Sequence, residues 1–296
     1  MKTESLPMDP APTGRILLFG AVMIAVTFGA SFIAQAALKG SVPDSLQFWN
    51  QWDAPHYLDL ARFGYLPDGE QGLFIVFFPF YPLLVALTMQ MIKDATLSGL
   101  LVSNGAYLAS LLILFRLSLL DGNSEHAWKS LWYLSIFPTA VFLHAPYTES
   151  MFLATTLGSF YFARKQKWLE AGLLGGLASA TKLTGIVLLP ALAIEYLSQK
   201  KYRWKNIKRS EAVFLLLIPL GLLIYLAINQ AVFQDVFHFA EVQKSHWYET
   251  AVFPWEGFLS AWASGSYRAG LEALTIGYAQ VVFSIFGLLM SLFAFR

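Results

Sequence analysis

The segment AGLLGGLASATKLTGIVLLPALAI (Ala171–Ile194) is an apolar run of 24 residues with a single charged residue, Lys182. At about 1.5 Å per residue, one straight helix of this length would cross a hydrocarbon core of roughly 30 Å. Such a helix would hold Lys182 near the bilayer centre, where a lone lysine costs at least about 2.5 kcal/mol. We therefore predict that the run breaks near Thr181–Gly185 into two shorter legs and that Lys182 reaches the outer rim of the membrane.

Apolar runs of this kind recur along the chain, which is 56% hydrophobic and only 13% charged. The first, Ile16–Leu38, has no charged residue and exceeds the roughly 7–15 residue core of a cleaved signal peptide. The others are Leu97–Leu120, Leu131–Tyr147, Ser150–Ala163, Ala212–Gln234 and Leu274–Phe295. The sequence predicts an all-α polytopic membrane protein, with residues 1–296 as a single transmembrane domain of about eight helices.

The distribution of Lys and Arg decides between two topologies, because short cytoplasmic loops are enriched in both residues. In the first topology, Ala171–Ile194 is one helix and Phe77–Ile92 crosses the membrane. In the second, the former run breaks and the latter lies in, or dips into, the outer interface. The second topology places 14 of the 20 Lys and Arg residues inside and 6 outside. Since Pro79 and Pro82 also suit an irregular segment, we adopt it, with the N-terminus inside.

This topology defines three polar segments. Residues 39–96 form a first outer loop, residues 199–210 a basic cytoplasmic loop, and residues 235–273 a second outer loop. Both outer loops share their face with the segment HAPYTES (His144–Ser150). The second outer loop is interpreted either as an amphipathic surface helix or as an acceptor-binding lid.

Composition excludes several classes of function. A net charge of +1 gives no electrostatic basis for a nucleic-acid partner. The chain has no cysteine, so disulfides, thiolate metal sites and thiol nucleophiles are excluded. It also lacks an Asp-x-Asp pair for a nucleotide sugar. We expect neither a cofactor nor a metal, with His56 beside Asp53 or Asp59 as the alternative, weakly metal-binding group.

The first outer loop contains the stretch FWNQWDAPHYLDLARFGYLPDG (Phe48–Gly69), which mixes carboxylates, a histidine and aromatic residues. If Pro55 begins a helix, Asp53 lies near its N-cap, and His56 shares a face with it. The buried face would then contain Tyr57, Leu60, Ala61 and Gly64. Asp53 is therefore either a helix cap or a group that takes part in chemistry.

Two more charged residues belong to the same outer face. Glu149 begins a helix after HAPYT, and Lys182 lies at the predicted break. Glu149 is either a carboxylate at a helix N-terminus or part of a site. Lys182 is either a snorkelling lysine or a binding cation. Acids and a base that meet among aromatic residues at a membrane surface indicate a site for the polar group of a lipid.

Four motifs occur in the order found in PIG-V type mannosyltransferases: WNQWDAPHYLDLARFGY, FFPFYPLL, FPTAVFLHAPYTESMF and AGLLGGLASATKLTGIVLLP. The chain resembles this family from about Leu46 to Leu192. The resemblance implies a GT-C-like helical bundle with interfacial helices in its two outer loops. It also implies a membrane glycosyltransferase with a polyprenyl-phosphate sugar as donor, mannose foremost, and a glycolipid or lipid-linked acceptor. Eukaryotic members act in glycosylphosphatidylinositol synthesis.

The resemblance implies roles for individual residues. Asp53 matches the first-loop aspartate that acts as general base, and Glu149 matches an acidic position that shapes the acceptor or donor site. Lys182 occupies the place of a cation near the donor phosphate. The motif residues His56, Tyr57 and Tyr147 are assigned to substrate binding.

These roles agree with the chemistry of sugar transfer. A carboxylate within about 2.6–3.2 Å of an acceptor hydroxyl can take its proton as the new bond forms. The leaving lipid phosphate gains charge that a fixed cation stabilises, and Arg62 or Arg268 are alternatives to Lys182 for this purpose. One displacement with one base inverts the anomeric centre, so a β-linked donor would give an α-linked product.

Two alternatives to a transferase remain open. A lipid-linked-sugar transporter or flippase favours charges at mid-membrane and inverted repeats, which the sequence does not show. A non-catalytic partner subunit of a split glycosyltransferase is the second, because family members are generally longer than this chain of 296 residues. The compact chain favours a bacterial plasma membrane over the endoplasmic reticulum, with the site on the non-cytoplasmic face.

Overall fold

The structure is a computed structural model that describes residues 10–40, 45–247, 253–267, 269–270 and 273–294. These residues form helices joined by short connections, with no strand among them. They divide into two compact units, Met1–Val242 and Gln243–Arg296. The predicted all-α class is therefore confirmed for the described part of the chain.

The α-helices are α1 (Pro10–Lys39), α2 (Ala54–Phe63), α3 (Phe80–Ile92), α4 (Ala95–Ser118), α5 (Ser124–Ile136), α6 (Glu149–Arg164), α7 (Trp168–Ser179), α8 (Leu188–Gln199), α9 (Arg209–Ala212), α10 (Ile218–Phe233), α11 (His238–His246), α12 (Pro254–Tyr267) and α13 (Ala279–Ala294). Segments of 3₁₀-helix are Leu46–Trp49, Glu70–Val76, Pro138–Leu143, Leu183–Val187, Trp204–Asn206 and Val213–Leu217, and Ala273–Tyr278 is π-helical.

Three helical segments in the described ranges are long and apolar enough to cross a membrane: Pro12–Lys39, Ala95–Ser118 and Arg209–Phe233. A bent pair, Glu70–Val76 and Phe80–Ile92, raises the number to four if it counts as one span. The expectation of about eight spans is not confirmed. Helices α6, α7 and α8 have 16, 12 and 12 residues, or about 18–24 Å, which is less than a hydrocarbon core of about 30 Å.

The predicted break in the run 171–194 is present. Helix α7 ends at Ser179, and Lys182 is extended, with φ −149° and ψ 148°, before the chain turns into Leu183–Val187. A glycine permits this turn: a Cβ at Gly185 would lie 2.4 Å from the carbonyl carbon of Ala178. Because the backbone passes so close to the end of α7, any larger residue at this position would force the two legs apart.

The segment around Phe77–Ile92 is not a straight spanning helix. Its two helical parts meet at an angle of 119°, the geometry of a broken span or a re-entrant loop. Pro79 stands at the start of α3, and the next amide, Phe80 N, donates to Ala180 O at 3.0 Å. The Tyr81 hydroxyl reaches Gly99 O at 3.1 Å. The bend therefore packs against the break after α7 and against α4.

The first unit has two ends of different charge. At one end, the loop after α4 pairs with the end of α6 through Asp121 and Arg164 (2.8 Å), and Gln199 at the end of α8 donates to Ala163 O (3.0 Å). We call this the basic end. Its Lys and Arg residues are Arg15, Arg116, Lys129, Arg164, Lys165, Lys167, Lys200, Lys201, Arg203, Lys205, Lys208 and Arg209. The other end, which we call the site end, holds the start of α6 and the break after α7.

The site end is recessed along α4. Ser110, near the middle of the 24-residue α4, donates to Ser150 O at the start of α6 at 3.3 Å. Ser103 donates to Tyr147 O at 3.3 Å. Since α6 starts beside the middle of α4, Glu149 and its partners lie well below the first turn of that helix. Lys182, the partner of Glu149, lies at the same level along α4.

In the second unit, α12 packs against the π-helical segment Ala273–Tyr278, with Trp262 and Tyr278 ring centroids 5.1 Å apart. A Cβ at Gly277 would lie 2.3 Å from the Cα of Gly265, so two glycines allow this contact. Arg268, one of the candidate cations from the sequence, lies outside the described residues.

Candidate active site

The third motif, FPTAVFLHAPYTESMF, contains a buried connection that is fixed to α4. His144, Ala145, Pro146, Tyr147 and Thr148 are all buried between the 3₁₀ segment and α6. Asn104 Nδ2 donates to His144 O at 3.1 Å, and the Asn104 side-chain oxygen lies 2.8 Å from His144 Nδ1. Pro146 packs so closely on α4 that a Cβ at Gly99 would lie 2.9 Å from it. This connection holds the start of α6 in a defined position.

Asp53 occupies the residue before α2, as predicted, with Pro55 in the first turn. Asp53 is the N-cap residue of α2, but its side chain makes no capping hydrogen bond to the helix. The predicted buried face is partly right. Tyr57 and Leu60 are buried, whereas Ala61 is half-buried and Gly64 is exposed.

Tyr147, in the third motif, is hydrogen-bonded to the first motif. Its hydroxyl accepts a hydrogen bond from Asp53 N at 3.1 Å and donates one to Gln51 O at 2.8 Å. Tyr57 adds a second link, since its hydroxyl lies 3.5 Å from Thr148 Oγ1. The first outer loop and the start of α6 are therefore joined by side-chain hydroxyls across more than 90 residues of sequence.

Glu149 and Lys182 meet directly. Lys182 Nζ donates to Glu149 Oε1 at 2.8 Å, and about a third of each side chain is exposed. The second carboxylate oxygen, Oε2, is buried and has no hydrogen-bond partner among the described residues. Glu149 also lines a cavity of about 470 Å³ together with Tyr133, Leu134, Phe137, Thr139, Ala140, Phe142 and Leu143. A buried, unpaired oxygen beside a cavity is suited to receive a donor hydrogen from a ligand.

Both carboxylates act electrostatically on the same two tyrosines. The pKa of Tyr147 is raised to about 12, mainly by burial, with smaller raising contributions from the charges of Asp53 and Glu149 that oppose the lowering effect of hydrogen bonds. Burial also raises the pKa of Tyr57, with smaller contributions from Glu149 and Asp53. The two carboxylates therefore lie within electrostatic reach of one pair of hydroxyls. Both tyrosines stay neutral at physiological pH and remain hydrogen-bond donors.

Two sequence candidates occupy less central positions. His56 packs on Phe74 and Phe77, with ring centroids 4.5 and 5.3 Å apart. Arg62 pairs with Asp59 at 3.0 Å near the exposed end of α2. It lies nine residues after Asp53, or about 13 Å along a helix axis. The contacts of Arg62 thus join it to its own helix rather than to Lys182 and Glu149.

A metal-binding geometry occurs elsewhere. Among the described residues, Asp235, His238 and Glu241 have ligand atoms within 4.8 Å of one another. They lie after α10, in the second outer loop of the predicted topology.

Sequence reasoning missed the supporting polar residues. Asn104 and Ser103 lie within the apolar run 97–120, and Gln51 contributes through its carbonyl. An amide in an otherwise apolar membrane helix is the signal that could have identified Asn104, because a buried polar group requires partners.

The fold and the site together describe a helical membrane protein with a recessed acid–lysine pair that is linked to the aspartate of a neighbouring loop. Comparison with known proteins shows similarity to GPI mannosyltransferases. The chain is 29% identical over 152 residues to GPI alpha-1,6-mannosyltransferase 2 of Cricetulus griseus, covering 47% of this chain and 29% of that protein. It is 32% identical over 162 residues to GPI mannosyltransferase 2 of Cryptococcus neoformans, covering 50% and 36% respectively. It is 28% identical over 143 residues to GPI mannosyltransferase 2 of Schizosaccharomyces pombe, covering 47% and 30%.

The resemblance inferred from the motifs is confirmed as sequence similarity over about half of the chain. The matched region spans only about a third of the length of these relatives. They come from a rodent and two fungi, so they do not support the expectation of a bacterial membrane. No protein-family model and no solved structure matches the chain.

Proposed function

We propose that this protein is a membrane mannosyltransferase that moves mannose from a polyprenyl-phosphate donor to a glycolipid or lipid-linked acceptor. The observation that carries the proposal is the contact between Lys182 and Glu149 beside the Tyr147 link to Asp53. The similarity to GPI mannosyltransferase 2 supports mannose as the sugar. The full scaffold is a GT-C-like bundle in which short helices α6–α8 complete the membrane domain.

Lys182 is the cation for the donor phosphate. The leaving phosphate gains negative charge as the glycosidic bond breaks, and an ammonium group in a recess of low dielectric stabilises that charge. Glu149 holds the ammonium in place through Oε1 and offers Oε2 to a sugar hydroxyl. The cavity at Glu149 is lined mainly by aromatic and aliphatic side chains, which suits the isoprenoid chain that follows the phosphate.

Asp53 is the general base. It would take the proton of the acceptor hydroxyl while that oxygen attacks the anomeric carbon from the side opposite the phosphate. The bond from the anomeric carbon to the phosphate oxygen breaks, and its electron pair stays on the phosphate. This single displacement inverts the anomeric centre, so a β-linked donor gives an α-linked product.

The site faces the non-cytoplasmic side of the membrane. The support is the charge of the opposite end, where the connections between α6 and α7 and between α8 and α9 hold seven Lys and Arg residues, and the adjoining helix ends hold Arg116, Lys129, Arg164 and Arg209. Such loops are enriched in these residues on the cytoplasmic side. A lipid donor reaches the recess by lateral diffusion, so no site for a soluble nucleotide is needed.

The test is transfer of radiolabelled mannose by the purified chain in proteoliposomes. We expect transfer from polyprenyl-phosphate mannose to an added lipid-extract acceptor, and none from GDP-mannose. Heat-inactivated protein is the control. A protein that moves the donor across the bilayer without transferring mannose, or that uses GDP-mannose equally well, contradicts the proposal.

A further inference from the structure

A second cavity is lined by Gln51 and Trp52, which directly precede Asp53 in the chain, and not by Lys182. It has a volume of about 200 Å³, which is smaller than the roughly 300–1,000 Å³ of sites for drug-sized molecules. Its lining residues are Ser31, Ala34, Gln35, Leu38, Phe48, Trp49, Gln51, Trp52, Val141, Phe142, Ala145 and Tyr147. We propose that this cavity binds one sugar ring of the acceptor, with Trp52 as the surface on which the ring stacks; this inference rests on the proposed transferase function.

Polar side chains of the otherwise apolar helix α1 line the cavity. The charge-free run 16–38 has three uncharged hydrogen-bonding residues, Thr27, Ser31 and Gln35, each four residues apart. Residues at this spacing lie on one helical face. Ser31 and Gln35 both line the cavity. A hydroxyl and an amide at the edge of a membrane helix are suited to the hydroxyls of a sugar rather than to a hydrocarbon chain.

An indole supplies an unused donor. Trp49 is 6% exposed, and its Nε1 is buried without a hydrogen-bond partner among the described residues. Its ring packs on Phe28 and Phe48, at centroid distances of 4.8 and 5.4 Å. A buried indole N–H usually has a partner. Trp49 also lines the cavity, so its ring forms part of the cavity's aromatic wall.

Trp52 provides the aromatic face. Its side chain is 75% exposed, and its ring centroid lies 6.0 Å from that of Phe142. The C–H groups on one face of a hexose pack on the electron-rich face of an aromatic ring. The backbone of Trp52 has φ 50°, but Tyr202 at the basic end shares such a value, φ 52°. It is the position on the cavity, not the backbone conformation, that distinguishes Trp52.

The cavity suits the acceptor rather than the donor. Its lining includes neither Lys182 nor Glu149, which are assigned to the donor, but it includes Gln51, Trp52 and Tyr147. Tyr147 binds Asp53 N and Gln51 O directly. A sugar held here would therefore present a hydroxyl towards the aspartate loop, while Phe142 lines both this cavity and the one at Glu149.

The test is photolabelling of the purified full chain with an octyl α-mannoside that carries a diazirine beside the glycosidic oxygen. We expect label on peptides that contain Ser31–Leu38 or Phe48–Trp52, and competition by octyl α-mannoside but not by octanol. Trp52→Ala should lower the label at least about fivefold, and Trp52→Phe should largely retain it. Tyr202→Ala, a matched aromatic residue at positive φ and far from the cavity, should leave the label unchanged.

Three outcomes would overturn the inference: label elsewhere in the chain, label in Trp52→Ala equal to that of wild type, or competition by octanol equal to that by the mannoside. The last would mark the cavity as a lipid-chain site. Labelling needs no transfer of mannose, so normal label in a protein without transferase activity contradicts the proposed function alone. In an active protein, Trp52→Ala should raise KM for the acceptor about tenfold and leave KM for the donor unchanged.

Discussion

Lys182 and Glu149, 33 residues apart in the chain, form an ion pair whose Nζ–Oε1 distance is 2.8 Å. The pair lies where the break after α7 meets the start of α6, beside the middle of α4. This position explains how a lysine is accommodated in an apolar run. Charged residues among membrane-spanning helices commonly pair with one another and mark a functional site.

Lys182→Met should reduce kcat about a hundredfold, because the developing charge on the phosphate loses its cation. The variant should also lose stability, because it leaves the partly buried Glu149 carboxylate without its cation. Mannose transfer and thermal unfolding measure the two effects. Lys129→Met, which removes an exposed pair with Glu125 at the basic end, is the matched control. Equal losses of activity in both variants would contradict the role of Lys182.

Tyr147→Phe should lower kcat about tenfold, because the hydroxyl that joins Asp53 N to Gln51 O is removed. Steady-state kinetics with saturating donor and acceptor measure the effect. Thr88→Val, which removes a hydroxyl that donates within α3, should leave kcat unchanged. If Tyr147→Phe retains full activity, the link does not position the aspartate loop.

The raised pKa of Tyr147 should make the free energy of unfolding depend on pH. The pKa of Tyr147 is raised to about 12 in the folded state, above the value of about 10 for an unfolded chain. Its contribution is therefore complete below pH ~10 and is lost as the pH rises towards ~12. We expect the difference in unfolding free energy between wild type and Tyr147→Phe to shrink over this range. A constant difference would mean that the pKa of Tyr147 is not raised on folding.

The ion pair between Asp121 and Arg164 should stabilise the fold at the basic end but should not affect mannose transfer. The hydrogen bond from Arg164 lowers the pKa of Asp121 in the folded state. Its stabilisation is then present at neutral pH and is lost as the pH falls through the lowered pKa. Asp121→Asn should lower the melting temperature slightly at pH 7, with the difference from wild type vanishing in acid. A loss of kcat in this variant would contradict the separation of the two ends.

Glycine allows α10 to approach the end of α7. A Cβ at Gly221 would lie 2.0 Å from Gly176 O and 2.5 Å from Ala180 N, both backbone atoms that cannot move aside. Gly221→Ala should therefore destabilise the protein strongly, by about 2 kcal/mol or more. Gly105→Ala, in α4 with no atom within 4 Å of the added Cβ, should be neutral or slightly stabilising. Thermal unfolding in detergent compares the two, and equal melting temperatures would contradict the close approach.

The sequence predicted the break after α7, because one charged residue in an apolar run is enough to require it. Lys182 is too costly for a straight apolar helix, and the break is where this argument placed it. The number of membrane spans could not be predicted in the same way. Hydropathy locates apolar runs, but it does not show where the helices within a run begin and end, and α6, α7 and α8 have only 12–16 residues each. The Tyr147 contact joins residues more than 90 positions apart. Only tertiary packing sets such a contact, so the motifs indicated the members of the site but not their hydrogen bonds.

The most direct measurement is mannose transfer from polyprenyl-phosphate mannose by wild type, Asp53→Asn and Asp68→Asn. Asp68 is an exposed carboxylate of the same loop and serves as the matched control. If Asp53 is the general base, Asp53→Asn loses at least about a hundredfold in kcat, while the kcat of Asp68→Asn stays close to wild type. Full activity in Asp53→Asn would contradict the assignment of the base.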